Sequence, residues 1–380
     1  MTFVLVFASG VLLVALTYLV AGWIVANGLS REVFAVRPRP KDLAIRVRKV
    51  SGERIVLEST VPRQDIGHPG TLGLRWGDGH GRVGDLIDVD GPRFVREFEP
   101  IEGSPPVCEG ALAPCPPVEI DPYVYPTDPS DVGLEFTSAT YQSPLGETGA
   151  WLVPASNGTS WAVHCHGWTA EKRELIRMLP TYHRAGITSL VIDYRNDPGA
   201  PRDPTGRYRF GLSEWKDLEA AVGEVLDRGA EHLVLSGCST GGAIVMAFLE
   251  RSALAGSVEA VVLDAPNLIL AEAIRYGTRD TRAATPLMIE FGMWMADLRW
   301  KVDWDATNFV QRAGEMLEEP TLVFHGTSDQ TIPISVSRQL EARVPDLVEL
   351  VETPAAGHVM SWNADPDRYD TYLGNFLRRL

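Results

Sequence analysis

Hydrophobic positions along this chain change rhythm twice. From Phe3 to Ala26, FVLVFASGVLLVALTYLVAGWIVA, 24 residues pass without a charge. At 1.5 Å per residue that makes roughly 36 Å of helix, enough to cross a ~30 Å hydrocarbon core with some tilt. Trp23 falls near one end, and Arg31, Arg37, Arg39 and Lys41 follow it, as an interfacial aromatic and a basic flank do at a membrane. The competing reading is a cleaved signal peptide. No basic residue precedes the run, the run is long for a signal, and no small-x-small cleavage site follows. Residues 3–26 therefore read as an uncleaved transmembrane anchor, and the expected location is the cell membrane.

After the anchor the period shortens to two. LAIRVRKV and RIVLEST flank Ser51-Gly52-Glu53 in the manner of a hairpin, and TLGLRWGDGHGRVGDLIDVDG is punctuated by Gly and Asp. Residues 31–103 are expected to form a small β-rich accessory segment. DVDG at Asp88–Gly91 lacks the rest of a calcium loop and reads as a turn. Residues 104–133 are a Pro-rich linker, whose prolines argue against any regular element.

From Leu134 onward, continuous apolar runs such as ITSLVIDY, HLVLSGCS, VEAVVLDAP and PTLVFHGTSD alternate with amphipathic segments such as SEWKDLEAAVGEVLDRG. That alternation predicts an α/β domain over 134–380: a mostly parallel sheet with helices on both faces. Chemistry in such sheets lies at the carboxyl ends of the strands. About fifty residues, roughly 267–318, exceed what the sheet needs and are expected to form a cap. Within them Leu287, Phe291, Trp294, Met295 and Leu298 fall on one helical face.

Apolar content of 45% and charged content of 22% are those of a globular protein with a large core. The net charge of −15 is unevenly spread, for residues 1–49 hold seven Lys/Arg against two Asp/Glu. An acidic body of this size argues against a nucleic-acid partner, which needs a basic face. The basic flank after the anchor would keep the body cytoplasmic. Cys108 and Cys115, bracketing a short loop, would suit a disulfide in an oxidising compartment. The two arguments oppose each other and leave the side open. Cys165 and Cys238 lie in apolar runs and read as buried thiols.

Between the strand HLVLSG and the helix GGAIVMAFLE sits Gly237-Cys238-Ser239-Thr240-Gly241. Small residues at both ends would let strand and helix approach, leaving Ser239 at an exposed, strained apex. Five such letters occur by chance, and a serine needs a base, an orienting acid and an oxyanion site. HCHGW (164–168) ends one strand, HGTSD puts Asp329 after another, and AAGHVM puts His358 in the next loop. Asp264, closing VVLDAP one strand earlier, is a rival acid. His164 and His166 read as strand-end residues, and no His/Cys/acid cluster has metal-ligand spacing in the sequence.

From about Leu134 to Leu380 the chain resembles the α/β-hydrolase superfamily, in its branch of serine esterases, lipases and related peptidases. The resemblance implies Ser239 as nucleophile, His358 as general base and then acid, and Asp329 as the residue holding the His tautomer. It also implies an oxyanion hole from the backbone N–H groups of Thr240 and Trp168, with Gly167 the fallback, and no cofactor or metal. An extended Gly-rich oxyanion run is missing. Insertions after this strand form the cap in the family, so Phe291, Trp294 and Met295 are expected to line an apolar substrate pocket. The expected function is a membrane-anchored hydrolase of a carboxylic ester, lipid-like or thioester. A serine peptidase of the same fold and a non-catalytic anchored scaffold are the alternatives. The acyl group, the alcohol and the oligomeric state are not specified by the sequence.

Overall fold

The computed structural model describes residues 2–36, 45–59, 67–77, 79–107, 118–279 and 285–380. Cys108 and Cys115, with the loop expected between them, lie outside the described residues. The first helix, α1 (Thr2–Leu29), extends the expected 3–26 span at both ends and carries no charge. Its side chains are described at Leu12 and from Leu16 onward, and among the described residues no helix is long and apolar enough to cross a membrane.

The accessory segment is a six-stranded antiparallel sheet. Its strands are β1 (Ile45–Ser51), β2 (Arg54–Ser59), β3 (Leu72–Trp76), β4 (Gly79–Asp90), β5 (Arg93–Glu102) and β6 (Glu119–Asp121), in the order β1-β2-β5-β4-β3-β6. The β1–β2 turn falls on the expected Ser51-Gly52-Glu53, with Gly52 at φ +58. Alternate residues Ile45, Val47, Ile55, Leu57, Phe94 and Phe98 are buried together in one core. The Pro-rich stretch departs from expectation, because Glu119–Asp121 pairs with β3 and closes the sheet. Three residues at a sheet edge need few ladder amides, so prolines on either side are tolerated.

The second sheet has eight strands: β7 (Thr137–Ser143), β8 (Gly146–Val153), β9 (Asn157–Cys165), β10 (Ile187–Ile192), β11 (His232–Cys238), β12 (Ala260–Asp264), β13 (Thr321–Gly326) and β14 (Val348–Thr353). Their order is β14-β13-β12-β11-β9-β10-β8-β7, and the six strands from β9 to β14 are mutually parallel. On one face pack α3 (Trp215–Asp227), α4 (Thr240–Arg251), α7 (Phe309–Met316) and α8 (Ser335–Arg343). On the other pack α2 (Leu179–Arg184) and α10 (Pro366–Leu377), the latter preceded by the short α9 (Ser361–Ala364). The cap is narrower than expected. Phe309, Val310 and Ala313 of α7 join the sheet's own core, which leaves α5 (Leu270–Thr278) and α6 (Pro286–Trp300) as the cap helices.

Two contacts tie the remaining parts to this body. First, α1 packs on α6 through glycine: a Cβ on Gly22 would fall 2.1 Å from Phe291, and one on Gly292 would fall 2.4 Å from Val25. The strap after α1 then runs into the 206–208 loop, where Tyr208 N–H donates to Phe34 O at 2.8 Å and Arg207 donates to Ser30 Oγ at 2.9 Å. Second, the small sheet grips the segment after β14. Asn363 donates through Nδ2 to Thr71 O (2.8 Å) and Pro122 O (2.9 Å), while Gly70, at φ +85, leaves no room for a Cβ beside Asn363 O. Arg177 reaches the same segment, donating to Asn363 Oδ1 and to Val359 O at 2.8 Å.

Asn363 is fully buried, so Asn363→Ala leaves two carbonyls and a guanidinium short of a partner. The expected loss is roughly 1–3 kcal/mol of stability, read as a lower urea midpoint. An unchanged midpoint would show that the two sheets do not depend on this residue.

Candidate active site

Ser239 stands between β11 and α4 at φ +51, ψ −114, a backbone region that side-chain-bearing residues rarely adopt and that costs of order 1–3 kcal/mol. The surrounding chain holds it there. Ser239 N–H donates to Asp264 O at 2.9 Å, and Ser239 O accepts from Gly242 N and Asn267 N at 3.0 and 2.9 Å. Glycine is required on both sides: a Cβ on Gly237 would lie 2.5 Å from Gly241, and one on Gly241 would lie 2.2 Å from Cys165 O. The β11–α4 turn is thus pressed against the end of β9.

His358 comes to Ser239 from the loop after β14. Its Nε2 lies 2.9 Å from Ser239 Oγ and its Nδ1 2.7 Å from Asp329 Oδ2. Asp329, after β13, accepts at Oδ1 from Thr331 N (2.7 Å) and Ile332 N (2.9 Å). Burial alone would raise its carboxyl, but the charge of His358 and hydrogen bonds from His325 and His358 hold it well below the usual range. His358 in turn is raised above the ordinary histidine value. Burial opposes this, and the Asp329 charge and hydrogen bond outweigh it, helped by Glu174 and Asp264.

Asp264, the rival acid, is buried with neither carboxylate oxygen hydrogen-bonded among the described residues. Burial pushes it up to about 6. It contributes its backbone carbonyl to the turn and stands behind it. Cys238 is fully buried, and burial raises its thiol well above the usual value, which leaves it unreactive.

The backbone amides of Trp168 and Thr240 have no hydrogen-bond acceptor among the described residues. Thr240 opens α4, so its amide carries the helix's N-terminal partial charge. Gly167, the fallback, donates its N–H to Glu174 Oε2 at 2.7 Å. The Gly167 carbonyl accepts from Tyr194 OH and from His166 Nδ1, both at 2.9 Å. The 167–168 loop is therefore pinned from two sides.

His164 and His166 end β9 as expected, with different electrostatics. Burial lowers His164 to about 3, and its Nε2 meets Ser189 Oγ at 3.0 Å. Burial also opposes charge on His166, but the Asp197 charge and hydrogen bond, with the Gly167 carbonyl, raise it to about 9. His166, Asp193 and Asp197 bring ligand atoms within 4.8 Å of one another, a grouping that spacing in the sequence does not reveal. Asp197 bonds His166 Nε2 at 2.9 Å and Lys172 pairs with Asp193, so the three form a buried ion-pair network. Glu174 and His166 gave no sequence signal as site residues. Each acts through a loop that only the folded chain assembles.

The cap stripe faces elsewhere than expected. Phe291 packs on Gly22 of α1 and on Trp294 (ring centroids 5.1 Å apart), Trp294 is 53% exposed, and Met295 is half-buried. The α6 side chains that share a cluster with Trp168 are Ile289 and Met293, together with Phe34, Tyr208, Phe210 and Leu270. The reason is α1, which packs on α6 beside Phe291 and Gly292 and leaves Leu287, Trp294 and Leu298 of the stripe exposed on the outer side.

Residues 162–370 match the model of the alpha/beta hydrolase family, and the chain belongs to that family. Its fold is also that of solved structures of low identity. An esterase of Pyrococcus furiosus, Pf2001, is 17% identical, with a TM-score of 0.53 over 67% of this chain and 94% of its own. The alpha/beta hydrolase GrgF of a Penicillium species is 17% identical, with a TM-score of 0.50 over 65% of this chain and 99% of its own. Among curated proteins, none matches the chain in sequence.

A base whose pKa is raised stays protonated to higher pH, so chemistry needing neutral His358 begins above the ordinary histidine value of about 6.5. Glu174→Gln keeps an acceptor for Gly167 N–H but removes one negative charge that raises His358. The acidic limb for modification of Ser239 by a fluorophosphonate is expected to move to lower pH. A limb that stays in place would show that Glu174 does not act on His358.

Proposed function

We propose that this protein is a serine hydrolase that cleaves carboxylic esters through an acyl-enzyme and is anchored to a membrane by α1. The observation that carries the reading is the Ser239–His358–Asp329 chain of hydrogen bonds at 2.9 and 2.7 Å, with the amides of Trp168 and Thr240 free of acceptors among the described residues. As Ser239 Oγ attacks the ester carbonyl carbon, its proton passes to His358 Nε2. Asp329 holds the Nδ1–H tautomer and stabilises the imidazolium. The carbonyl oxygen, now negative, takes the amide hydrogens of Trp168 and Thr240. The tetrahedral intermediate collapses, the alcohol leaves with the His358 proton, and water then hydrolyses the acyl-Ser239 by the same steps.

Ester cleavage is favoured over peptide cleavage by the apolar side chains that neighbour the oxyanion loop. Trp168 packs on Phe210 and Met293 there, with Trp168 and Phe210 ring centroids 6.4 Å apart. Such surface suits an acyl chain. The anchor rests on α1, an uncharged helix of 28 residues followed by basic residues.

Ser239→Ala is expected to lower kcat on p-nitrophenyl esters by on the order of 10⁶ and to abolish phosphonate labelling. Asp329→Asn is expected to cost on the order of 10⁴, with Asp264→Asn far milder. Folded Ser239→Ala within tenfold of wild type would sink the assignment. Full-length protein is expected to stay with membranes through an alkaline carbonate wash, and release into the supernatant would remove the anchor. Deleting residues 2–29 takes away the helix that α6 packs on, so the truncated enzyme is expected to melt lower as well as to lose the membrane.

A further inference from the structure

Among the described residues, every large apolar side chain that is more than half exposed lies on α1 or α6. Leu16, Trp23 and Ile24 of α1 are 55, 52 and 59% exposed, and Leu287, Trp294 and Leu298 of α6 are 60, 53 and 70% exposed. The two helices touch at Gly22–Phe291 and at Val25–Gly292. Ser30 and Trp300 meet the same guanidinium, that of Arg207. The helices therefore run side by side in the same direction, with their C-terminal ends together. A soluble body does not leave such a face uncovered.

The chemistry of that common end says what covers it. Arg207 and Arg299 both lie over the Trp300 ring, at 5.2 and 5.1 Å. Arg209 and Arg299 are close enough to Arg207 for their charges to depress its pKa, after the effect of burial. Arg31 and Lys301 flank the group in sequence. Glu32, Glu290, Asp297 and Asp303 are the acids on the same segments, and Glu290 pairs with Arg275. Arg31, Arg207, Arg209, Arg299 and Lys301 form no ion pair with a described carboxylate. Basic side chains and a tryptophan at the end of an exposed apolar face match the layer where acyl chains give way to phosphates.

We propose that α6 is a second membrane contact, running beside the C-terminal half of α1 into one leaflet of an anionic phospholipid bilayer. Leu287, Trp294 and Leu298 enter the acyl layer, and Arg31, Arg207, Arg299 and Lys301 meet lipid phosphates. The inference rests on the reading of α1 as an anchor. It gives the cap a lipid-facing outer surface while Ile289 and Met293 on its inner surface pack with Trp168 of the oxyanion loop. An ester dissolved in the bilayer then meets the cap before it meets bulk water.

The test uses the full-length protein, with Cys108 and Cys115 replaced by Ser. A nitroxide is attached at Leu298→Cys or Leu287→Cys, and at Glu315→Cys on α7 as an aqueous control. The protein is reconstituted in phosphatidylcholine–phosphatidylglycerol vesicles. The labels on α6 are expected to collide with oxygen and to be shielded from a water-soluble nickel chelate, whereas the Glu315 label is open to it. Replacing phosphatidylglycerol by phosphatidylcholine, or introducing Arg299→Glu with Lys301→Glu, is expected to return the α6 labels towards water. Labels open to nickel on protein that still floats with vesicles after alkaline washing overturn the α6 contact and leave the anchor standing. Protein that no longer floats overturns the anchor reading and this one with it. Equal shielding in neutral and anionic vesicles overturns the role given to the basic residues.

Discussion

Ser239 is held at φ +51 because the chain passes from β11 into α4 beneath the end of β9, where there is no space for an ordinary turn. The constraint is steric before it is chemical. Gly237 and Gly241 leave no room for a methyl group, and the turn is fixed by bonds to Asp264 and Asn267 from the neighbouring strand end. The same crowding brings Oγ within 2.9 Å of His358 Nε2, starts α4 at Thr240 and presses the Gly167 backbone against the Ser239 side chain. Strain of a few kcal/mol at one residue is tolerated because α4 is buried along most of its length in the main core.

His358 is placed by a longer route. His358 sits in a loop with positive φ at Ala355 and Val359, a conformation that such residues do not hold unaided. The small sheet supplies much of the support. His68 meets Ala355 O at 3.2 Å, Asn363 joins Thr71 and Pro122, and Met360 enters the small sheet's core. Arg96, buried in that sheet, donates to His68 O at 2.9 Å and Gly70 O at 2.6 Å, fixing the loop that does the gripping. Burial lowers its guanidinium to about 10, a cost offset by the carbonyls around it. The accessory sheet is thus a clamp on the His358 loop.

A third dependence runs from the segment after α1 to the 167–168 loop. Phe34 meets Phe210 edge-on at 5.7 Å, and Phe210 lies 6.4 Å from Trp168, whose amide borders the site. The cap helix α6 packs into the same cluster. Aromatic pairs at these separations contribute packing energy beyond their buried area. The segment after α1 therefore helps hold Trp168 in place.

Much of this was legible in the letters. The uncharged run, the period-two segment with its Ser51–Glu53 turn, and the alternation of buried strands with amphipathic helices are local patterns that local physics enforces. Ser239, Asp329 and His358 could be named because strand ends and chain order are sequence properties. What the sequence could not give were contacts between distant segments. Glu119–Asp121 became a strand because β3 offered an edge, and Glu174 meets the Gly167 amide because the short helix Lys172–Met178 folds back under that loop. Phe291 turned from the expected pocket because Gly22 and Gly292 let α1 pack beside it, and Trp294 points outward next to it. Periodicity states which residues share a face. Only the folded chain decides what that face meets, since burial there depends on which remote surface arrives first and fits closest.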